Sequence, residues 1–269
     1  MQERIRLNFT EIIEPNMYII GSCPTTGSNL IGLNSVIPLS GVEDSLFAFA
    51  EKTGRVGGLL KGLTADAQME ASIEMMVVEA IKTSAIEREL LSRKDVMSSI
   101  RTNLGLAPEA PGGDKRAAGA AALMIDVRSS FAAPLSEEML LSWHRMMMQG
   151  YRHVAAGRWR MHVESMQVVS GPIGHERVHF EAPPSAQIPE EMRRYIQWFN
   201  DTAPDGKHEI RKAAVRSAIA HLYFESIHPF EGRNGRIGRA LSEKALSQGW
   251  DACRLEPIAG HRSSKERIL

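Results

Sequence analysis

One stretch of the chain, between two segments with helical spacing, decides its fold: His228-Pro229-Phe230-Glu231-Gly232-Arg233-Asn234-Gly235-Arg236-Ile237-Gly238-Arg239. Apolar residues recur at helical spacing before it, and Pro229 disfavours helix at the positions that precede it. Two glycines then allow a tight loop, and helical spacing resumes near Asn234. The stretch is therefore predicted to be a short loop that joins two helices.

The loop and the first turn of the second helix contain the residue types of an anion site. Backbone N–H groups at a helix start point toward one position, and the helix dipole adds positive potential there. Arg236 and Arg239 are three residues apart, so both guanidinium groups can reach the same anion. His228 lies across the loop and is the side chain here that accepts a proton near neutral pH.

Each of these features has a structural explanation when it is taken alone. A histidine at a helix end is more often a cap or a core residue, and arginines on a turn more often face solvent. Here the features occur together, and no Ser, Cys or Lys nucleophile lies beside His228. The set therefore favours phosphoryl or nucleotidyl transfer over acyl transfer.

The composition excludes several classes of protein. With 269 residues, zero formal net charge and 43% apolar residues, the chain has the composition of a globular protein of one or two domains. Zero net charge argues against a broad nucleic-acid or membrane-surface patch. No apolar run reaches the ~18 residues that span a bilayer, and the N-terminus lacks the apolar core of a signal peptide. Two cysteines indicate a reducing compartment, so we expect a cytoplasmic protein without a membrane.

Hydrophobic periodicity predicts a mainly α chain. Apolar residues from Ile73 to Ser84 recur at the spacing of one buried helix face. Ser92 and Ser136 are predicted N-caps. A Gly/Pro turn within residues 166–180 indicates a single β-hairpin. Further helices are predicted over 116–131, 136–149, 188–200, 207–227 and 234–248.

The two ends of the chain have weaker patterns. Residues 15–45 are rich in Gly, Pro, Ser and Asn, and we expect loops or short irregular pieces there. The apolar pieces at 46–49 and 56–60 suggest a helix that docks on the core. Residues 251–269 are polar and are expected to form a short helix or a tail.

The stretch 228–239 resembles the Fic motif, HPFx(D/E)GNGRxxR. The segment Thr83-Ser84-Ala85-Ile86-Glu87 resembles the family's inhibitory helix motif, (S/T)xxxE(G/N). Gly157-Arg158-Trp159-Arg160 and the hairpin after it resemble the family's target-docking flap. The resemblance covers residues 65–250 and implies a compact Fic-type helical bundle with a β-hairpin flap.

The resemblance also divides the chain into four parts. They are an N-terminal segment 1–60, a helical region 61–132 with the inhibitory motif 83–88, a Fic (Fido) core 133–250 with the motif 228–239, and a C-terminal tail 251–269. Longer members of the family carry a winged-helix module after the core. The segment that ends at Leu269 is expected to be too short for one.

The family's activity implies an ATP-dependent protein adenylyltransferase. A target Ser, Thr or Tyr hydroxyl attacks the α-phosphorus of ATP, pyrophosphate leaves, and the resemblance makes His228 the catalytic base. The resemblance implies that Asn234 and the backbone of Gly235 hold the phosphates of ATP. It also implies that Arg236 neutralises charge on the β/γ side of the triphosphate and that Arg239 binds the γ-phosphate. The whole set expected to bind ATP is Glu231, Gly232, Arg233, Asn234, Gly235, Arg236 and Arg239.

The resemblance implies protein partners. The flap, predicted over residues 166–180, would take a segment of the target protein as an extra strand, because this pairing needs only backbone groups. Self-adenylylation and a homodimer are further candidate interactions, and nucleic acid is not an expected partner.

Glu87 is a candidate inhibitory residue. It follows Ile73 by fourteen residues, almost four helical turns, so the pattern places it on the inward face. A carboxylate on an inward face requires a cationic partner. The resemblance supplies Arg239, and that pair would block the productive pose of the γ-phosphate. The alternative is that Glu87 ends the face beside water.

Three positions depart from the family's motifs. Gly232 occupies the position of the usual Mg²⁺ ligand, an Asp or Glu, and Arg233 replaces the glycine that follows. The resemblance implies Mg²⁺ as a cofactor beside ATP, and Glu231, one residue away, is the candidate ligand. A displaced carboxylate is a poor substitute, because Mg²⁺ requires oxygen ligands at about 2.0–2.1 Å in near-octahedral geometry. A positive φ at Arg233 would cost roughly 1–2 kcal/mol. Arg88 replaces the Gly or Asn of the inhibitory motif, and it either competes for the carboxylate of Glu87 or faces water.

Three functions are compatible with these residues. The favoured one is an adenylyltransferase that Glu87 restrains. The second is a catalytically weak Fic-fold protein that binds a nucleotide or a partner, because Gly232 and Arg233 depart from the motif. The third is removal of AMP from a modified protein, with Glu87 orienting a water.

Overall fold

A computed structural model describes residues 17–19, 36–38, 41–108, 112–151, 155–162, 166–170, 175 and 177–249. The predicted tail 251–269 lies outside these residues. Helices dominate the described part, which confirms the predicted mainly α class. They are α1 (Glu43–Lys61), α2 (Ala65–Ile86), α3 (Arg93–Asn103), α4 (Lys115–Ser129), α5 (Glu137–Met147), α6 (Ile188–Asp201), α7 (Ala213–Ile227) and α8 (Asn234–Gln248).

Side-chain caps determine where several helices begin. Ser92 and Ser136, the two predicted caps, each accept a hydrogen bond from the backbone N–H three residues later. Thr64 caps α2 in the same way, and Asp114 caps α4 by accepting from the N–H of Arg116, two residues later. These oxygens satisfy N–H groups that have no partner within their helix. The starts of these helices are therefore determined locally.

The core lies between the helices and reaches the loop that joins α7 to α8. The predicted face of α2 from Ile73 to Ser84 is buried, except at Ile81, which is partly exposed. α7 and α8 share the most extensive contact between any two described helices. Phe230, in the loop between them, is buried and stacks on His144 with ring centroids 4.1 Å apart. The loop is thus anchored in the core through its own phenylalanine.

The predicted hairpin is present. β3 (Gln167–Ser170) pairs antiparallel with β4 (Arg177–Glu181), with Gln167 opposite Glu181. The register shifts between Val168 and Val169, which marks an irregularity within the short ladder. The hairpin connects the region of α5 to α6, so it belongs to the same half of the chain as the loop between α7 and α8.

A second strand pair overturns part of the sequence expectation. β1 (Met17–Ile19) pairs antiparallel with β2 (Val36–Pro38), so residues 15–45 are not entirely irregular and the hairpin is not the single pair. Each of these strands has three residues. A run of that length is too short to show the alternation that identifies a strand in sequence.

Two helices also differ from expectation. α7 begins at Ala213 instead of near residue 207, because the N–H groups of His208 and Ile210 bond to carbonyl groups at the end of α6. α1 is a helix, but none of its residues is buried, and its docking on the core is limited to partial packing by Leu46. Phe47 is 75% exposed because it faces away from that contact.

Among the described residues, no helix combines the length and the apolar content that crossing a membrane requires.

Candidate functional site

The loop between α7 and α8 begins and ends with a left-handed residue. His228 caps α7 with φ 49 and ψ 59, and Arg233 precedes α8 with φ 67 and ψ 8. These two residues reverse the chain between packed helices. The positive φ expected at Arg233 is therefore observed, at a position where a non-glycine residue costs roughly 1–2 kcal/mol.

The side chain of Asn234 bonds to the backbone on the opposite side of the loop. Its Oδ1 accepts from the N–H of Phe230 at 3.0 Å, and its Nδ2 donates to the Phe230 carbonyl at 2.8 Å. Asn234 is buried, so these bonds replace water for both backbone groups. Both polar atoms of an amide that the sequence assigned to phosphates are thus bonded to the loop itself.

Arg160 holds the loop from the opposite side. Its Nε donates to the carbonyl of His228 at 2.8 Å, and its backbone N–H donates to the carbonyl of Pro229 at 2.8 Å. The guanidinium also donates to Ser185 Oγ at 2.8 Å and to the carbonyl of Pro183. Arg160 is fully buried, so the dipoles of these carbonyl and hydroxyl groups stabilise its charge in place of water. The sequence motif placed Arg160 beside the flap and did not indicate its contact with His228.

His228 is a neutral imidazole at the rim of the site. Its ring hydrogen-bonds to the backbone of Glu225, and its side chain is 28% exposed. Burial and the nearby charge of Arg160 lower the pKa of His228 to about 4. Because one ring nitrogen bonds to the Glu225 backbone, the other is left as a proton acceptor at neutral pH.

Glu225 is a second titratable group at this end of α7, and the sequence analysis missed it. Its Oε2 lies 3.8 Å from Nδ1 of His228, and its Oε1 lies 3.9 Å from Nε2 of His221. Burial raises the pKa of Glu225 to about 7. Glu225 therefore titrates near neutrality, whereas His228, whose pKa is lowered to about 4, does not. The spacing of His221, Glu225 and His228 along one helix was the available signal.

The two arginines of α8 meet two different carboxylates. Nη2 of Arg239 lies 2.8 Å from Oε1 of Glu87, and the same guanidinium donates to Thr83. Nη2 of Arg236 pairs with Oε2 of Glu89. Arg236 is 1% exposed, whereas Arg239 is 20% exposed. The sequence predicted that both guanidinium groups reach the same anion. In the structure, each guanidinium group instead pairs with a different carboxylate.

Glu87 lies over the first turn of α8. It is the C-cap of α2, and a side chain at Gly235 would collide with its Oε1. The expectation that Glu87 continues the buried face is wrong, because the helix ends at Ile86 and the Glu87 side chain is 35% exposed. Its expected partner, Arg239, is the one observed. The carboxylate thus occupies the position that the helix start prepares for an anion.

Glu89 is another carboxylate that the sequence did not indicate. It is 8% exposed and pairs with Arg236, with Arg233 at 3.3 Å and with Arg116 at 3.7 Å, and it accepts a hydrogen bond from Tyr151. Burial alone would raise the pKa of Glu89, but the hydrogen bonds from Tyr151 and Arg236 hold it below its ordinary value. The partners of Glu89 lie far from it along the chain, so no local pattern indicated them.

Two departures from the family motifs have a structural explanation. The guanidinium of Arg233 lies 3.9 Å from the ring centroid of Tyr151, a cation–π contact that holds this side chain beside Glu89. Arg88 is exposed and has φ 59, the left-handed conformation that the motif's Gly or Asn adopts more easily.

Residues 134–246 match the family described as Fic/DOC. This part of the chain is similar to a Fic domain. It includes α5, α6, α7 and nearly all of α8. Residues 39–106 match a domain of unknown function, DUF4172, which includes α1, α2 and α3. Glu87 and Glu89 therefore belong to the second match, whereas Arg233, Arg236 and Arg239, which they contact, belong to the first.

The fold is similar to solved structures of Fic proteins. A Fic family protein from Desulfovibrio desulfuricans gives a TM-score of 0.51 at 24% identity, over 77% of this chain and 58% of that one. A Fic domain containing signaling protein from Bacteroides thetaiotaomicron gives 0.51 at 18%, over 74% and 72%. Fic-1 from C. elegans gives 0.54 at 21%, over 78% and 58%. The likeness shows the predicted Fic-type fold, and the chain spans less than two thirds of the first and third proteins.

The loop between α7 and α8 does not present the ligands of a magnesium site. Gly232 has no side-chain oxygen, and Glu231 is exposed. No group of three His, Cys, Asp or Glu residues that could hold a metal ion occurs in the described part of the chain. Mg²⁺ prefers near-octahedral oxygen ligands, often one or two carboxylates with water and phosphate. The donor set at this loop therefore does not fit the expected ion.

Proposed function

We propose that this chain transfers AMP from ATP to a hydroxyl group of a protein and that Glu87 restrains the transfer. Members of the Fic family transfer AMP onto proteins. The observation that carries the proposal is the carboxylate of Glu87, which lies over Gly235 at the start of α8 and pairs with Arg239. A site that holds one anion at a helix start has the charge and the N–H groups to hold a phosphate.

The proposed reaction is a displacement at the α-phosphorus. The hydroxyl oxygen of the target forms a bond to that phosphorus, and the bond from phosphorus to the pyrophosphate oxygen breaks. The proton of the hydroxyl moves to His228, which is neutral at pH 7 because its pKa is lowered to about 4. Arg239 and the N–H groups at the start of α8 stabilise the negative charge of the triphosphate.

Glu87 restrains the reaction by occupying Arg239. Its side chain is 35% exposed and is paired with this one arginine, so a rotation into solvent releases it. A γ-phosphate and the Glu87 carboxylate cannot share that guanidinium without repulsion between like charges. Removal of Glu87 is therefore expected to increase transfer.

The test is incubation of purified protein with α-labelled ATP and Mg²⁺. Glu87→Gly is expected to increase label transfer at least tenfold, since the charge-assisted bond that it removes is worth about 1.5–3 kcal/mol. His228→Ala in the same background is expected to abolish it. Arg88→Gly is the matched control, because it puts glycine in the same turn without touching Arg239. Equal transfer by Glu87→Gly and Arg88→Gly would contradict the restraint.

A binding protein with weak catalysis is the second candidate, and the missing metal ligand at Gly232 favours it. In that case ATP binds, but neither wild type nor Glu87→Gly transfers label. Gly232→Asp then provides the decisive comparison, because it restores a carboxylate at the usual ligand position. A large gain in metal-dependent transfer in that variant alone would favour the second candidate.

We further propose that the target segment pairs with the hairpin of β3 and β4. A two-stranded ladder offers backbone groups at its outer edges, and pairing with them places few demands on the target sequence. A proline at Val169 is expected to weaken modification of the target without changing ATP binding.

A further inference from the structure

We infer that Glu89 is a positioning residue of the anion site, which holds Arg236 and Arg233 in place and stays bound when Glu87 is released. Its effect on transfer rests on the proposed function, whereas its effect on Arg236 does not. The inference assigns opposite roles to two carboxylates that are two residues apart.

The partners of Glu89 form a closed set around it. Arg236 and the hydroxyl of Tyr151 bond to it directly, and Arg233 and Arg116 lie 3.3 and 3.7 Å from its oxygens. At 8% exposure, Glu89 has little water to replace a lost partner. A buried carboxylate with several donors is costly to separate from them, because each charge would be left unpaired.

Arg236 depends on this carboxylate. It is 1% exposed, its Nη1 is 3.5 Å from Ser84 Oγ, and its Nε has no hydrogen-bond partner among the described residues. Glu89 is thus the ion-pair partner of Arg236 in the described part of the chain. Without it, the guanidinium is a buried and uncompensated charge, which either rotates toward water or draws water into the core.

Arg233 connects the same carboxylate to the loop backbone. It adopts φ 67 immediately before α8, and its side chain lies between Glu89 and the Tyr151 ring. These two contacts hold a residue whose backbone conformation favours glycine. Glu89 therefore supports the helix start through Arg233 as well as through Arg236.

Glu87 and Glu89 differ in exposure and in their number of partners, and this difference distinguishes a restraining residue from a positioning residue. Glu87 is 35% exposed and is held by Arg239, so an incoming phosphate can replace it. Glu89 is enclosed by four partners, so a phosphate that displaced it would leave its carboxylate unpaired inside the protein. Loss of Glu87 should consequently activate the site, and loss of Glu89 should impair it.

The first experiment compares Glu89→Gln with Glu191→Gln, both in the Glu87→Gly background. Glu191 is the matched control, because it is a buried glutamate that pairs with Arg194 on α6. Glu89→Gln is expected to raise the KM for ATP at least tenfold with a smaller change in kcat, and Glu89→Asp is expected to recover part of the loss. Glu191→Gln should leave both constants within twofold. Unchanged KM, or increased transfer, in Glu89→Gln would overturn the inference.

The second experiment needs no activity. A double-mutant cycle between Glu89→Gln and Arg236→Met is measured by urea unfolding, with Glu191→Gln and Arg236→Met as the control pair. The inference expects coupling of at least tenfold in the unfolding equilibrium for the first pair and additive effects for the second. Additive effects in the first pair would overturn it. If Glu87→Gly transfers no AMP but the coupling is present, the proposed function fails and the positioning role stands.

Discussion

Gly232, in the loop before α8, and Gly235, in the first turn of α8, differ in the space beside their backbones. A side chain at Gly235 would collide with the Glu87 carboxylate and approach Arg239, whereas nothing lies within 4 Å of a side chain at Gly232. Of these two glycines, Gly235 is therefore the one whose backbone closely approaches the Glu87 carboxylate. This difference is a property of single residues, since the two glycines are only three positions apart.

Replacement of these glycines by alanine tests that difference. Gly235→Ala is expected to weaken ATP binding at least tenfold, because the new methyl group occupies the space above the first turn of α8. Gly232→Ala should change binding less than twofold. Titration calorimetry with ATP measures both, in the Glu87→Gly background. Similar losses in the two variants would show that the first turn of α8 is not where the phosphates bind.

At the scale of elements, one buried arginine connects the end of α7 to the segment before the hairpin. Arg160 bonds to carbonyl groups of His228 and Pro229 through its side chain and its backbone. It also reaches Ser185 and the Pro183 carbonyl, which lie between β4 and α6. Arg160 therefore joins three segments that are separate along the chain, and it bonds to the carbonyl of the left-handed residue His228.

Arg160→Met is expected to lower the free energy of unfolding by roughly 3 kcal/mol or more, because it leaves several buried carbonyl groups unpaired at about 1–3 kcal/mol each. The pKa of His228 should rise at the same time, since the charge of Arg160 helps to lower it. Urea unfolding and NMR titration of the imidazole measure the two effects. Arg158→Met is the control, because Arg158 is exposed two residues away. Equal free energies of unfolding for Arg160→Met and Arg158→Met would contradict the conclusion that Arg160 joins these segments.

At the scale of the whole molecule, contacts cross from one matched region to the other. Arg236 and Arg239 lie within the residues that match Fic/DOC. Each pairs with a carboxylate of residues 39–106, in the turn between α2 and α3. Both matched regions therefore contribute residues to the site, one the carboxylates and the other the arginines.

The stability of the whole molecule should also depend on pH through Glu225. Burial raises its folded-state pKa from 4.5 to about 7, so the folded chain keeps a proton that the unfolded chain releases. Its contribution to stability is complete below pH 4.5 and is lost as the pH rises through about 7. Glu225→Gln has no such loss and should gain stability relative to wild type between pH 5 and pH 8.

Urea unfolding of wild type and Glu225→Gln at pH 5 and pH 8 measures this gain. The lowered pKa values of His221 and His228 act in both proteins, so most of their effect cancels in the difference. Glu190→Gln is the control, because Glu190 is exposed and its pKa of about 2 leaves it ionised throughout. The same difference in stability at both pH values would show that Glu225 ionises as freely in the folded chain as in the unfolded one.

The sequence by itself determined the local features of this protein. The caps at Ser92 and Ser136, the buried face of α2 and the hairpin all follow from interactions within a few residues, and periodicity or capping reveals such interactions. The predicted helix over 234–248 agrees with α8 for the same reason. The His228 loop and its arginines were also visible, because their spacing along the chain places them together.

The tertiary structure alone decided which groups meet across long separations. Glu89 and Arg236 are 147 residues apart, and Arg160 and His228 are 68 apart, so no local period relates them. The raised pKa of Glu225 and the burial of Arg236 depend on what packs around them, which residue types do not specify. Local order follows from hydrogen bonds and side-chain period, whereas charge pairing and desolvation arise only when distant segments are packed together.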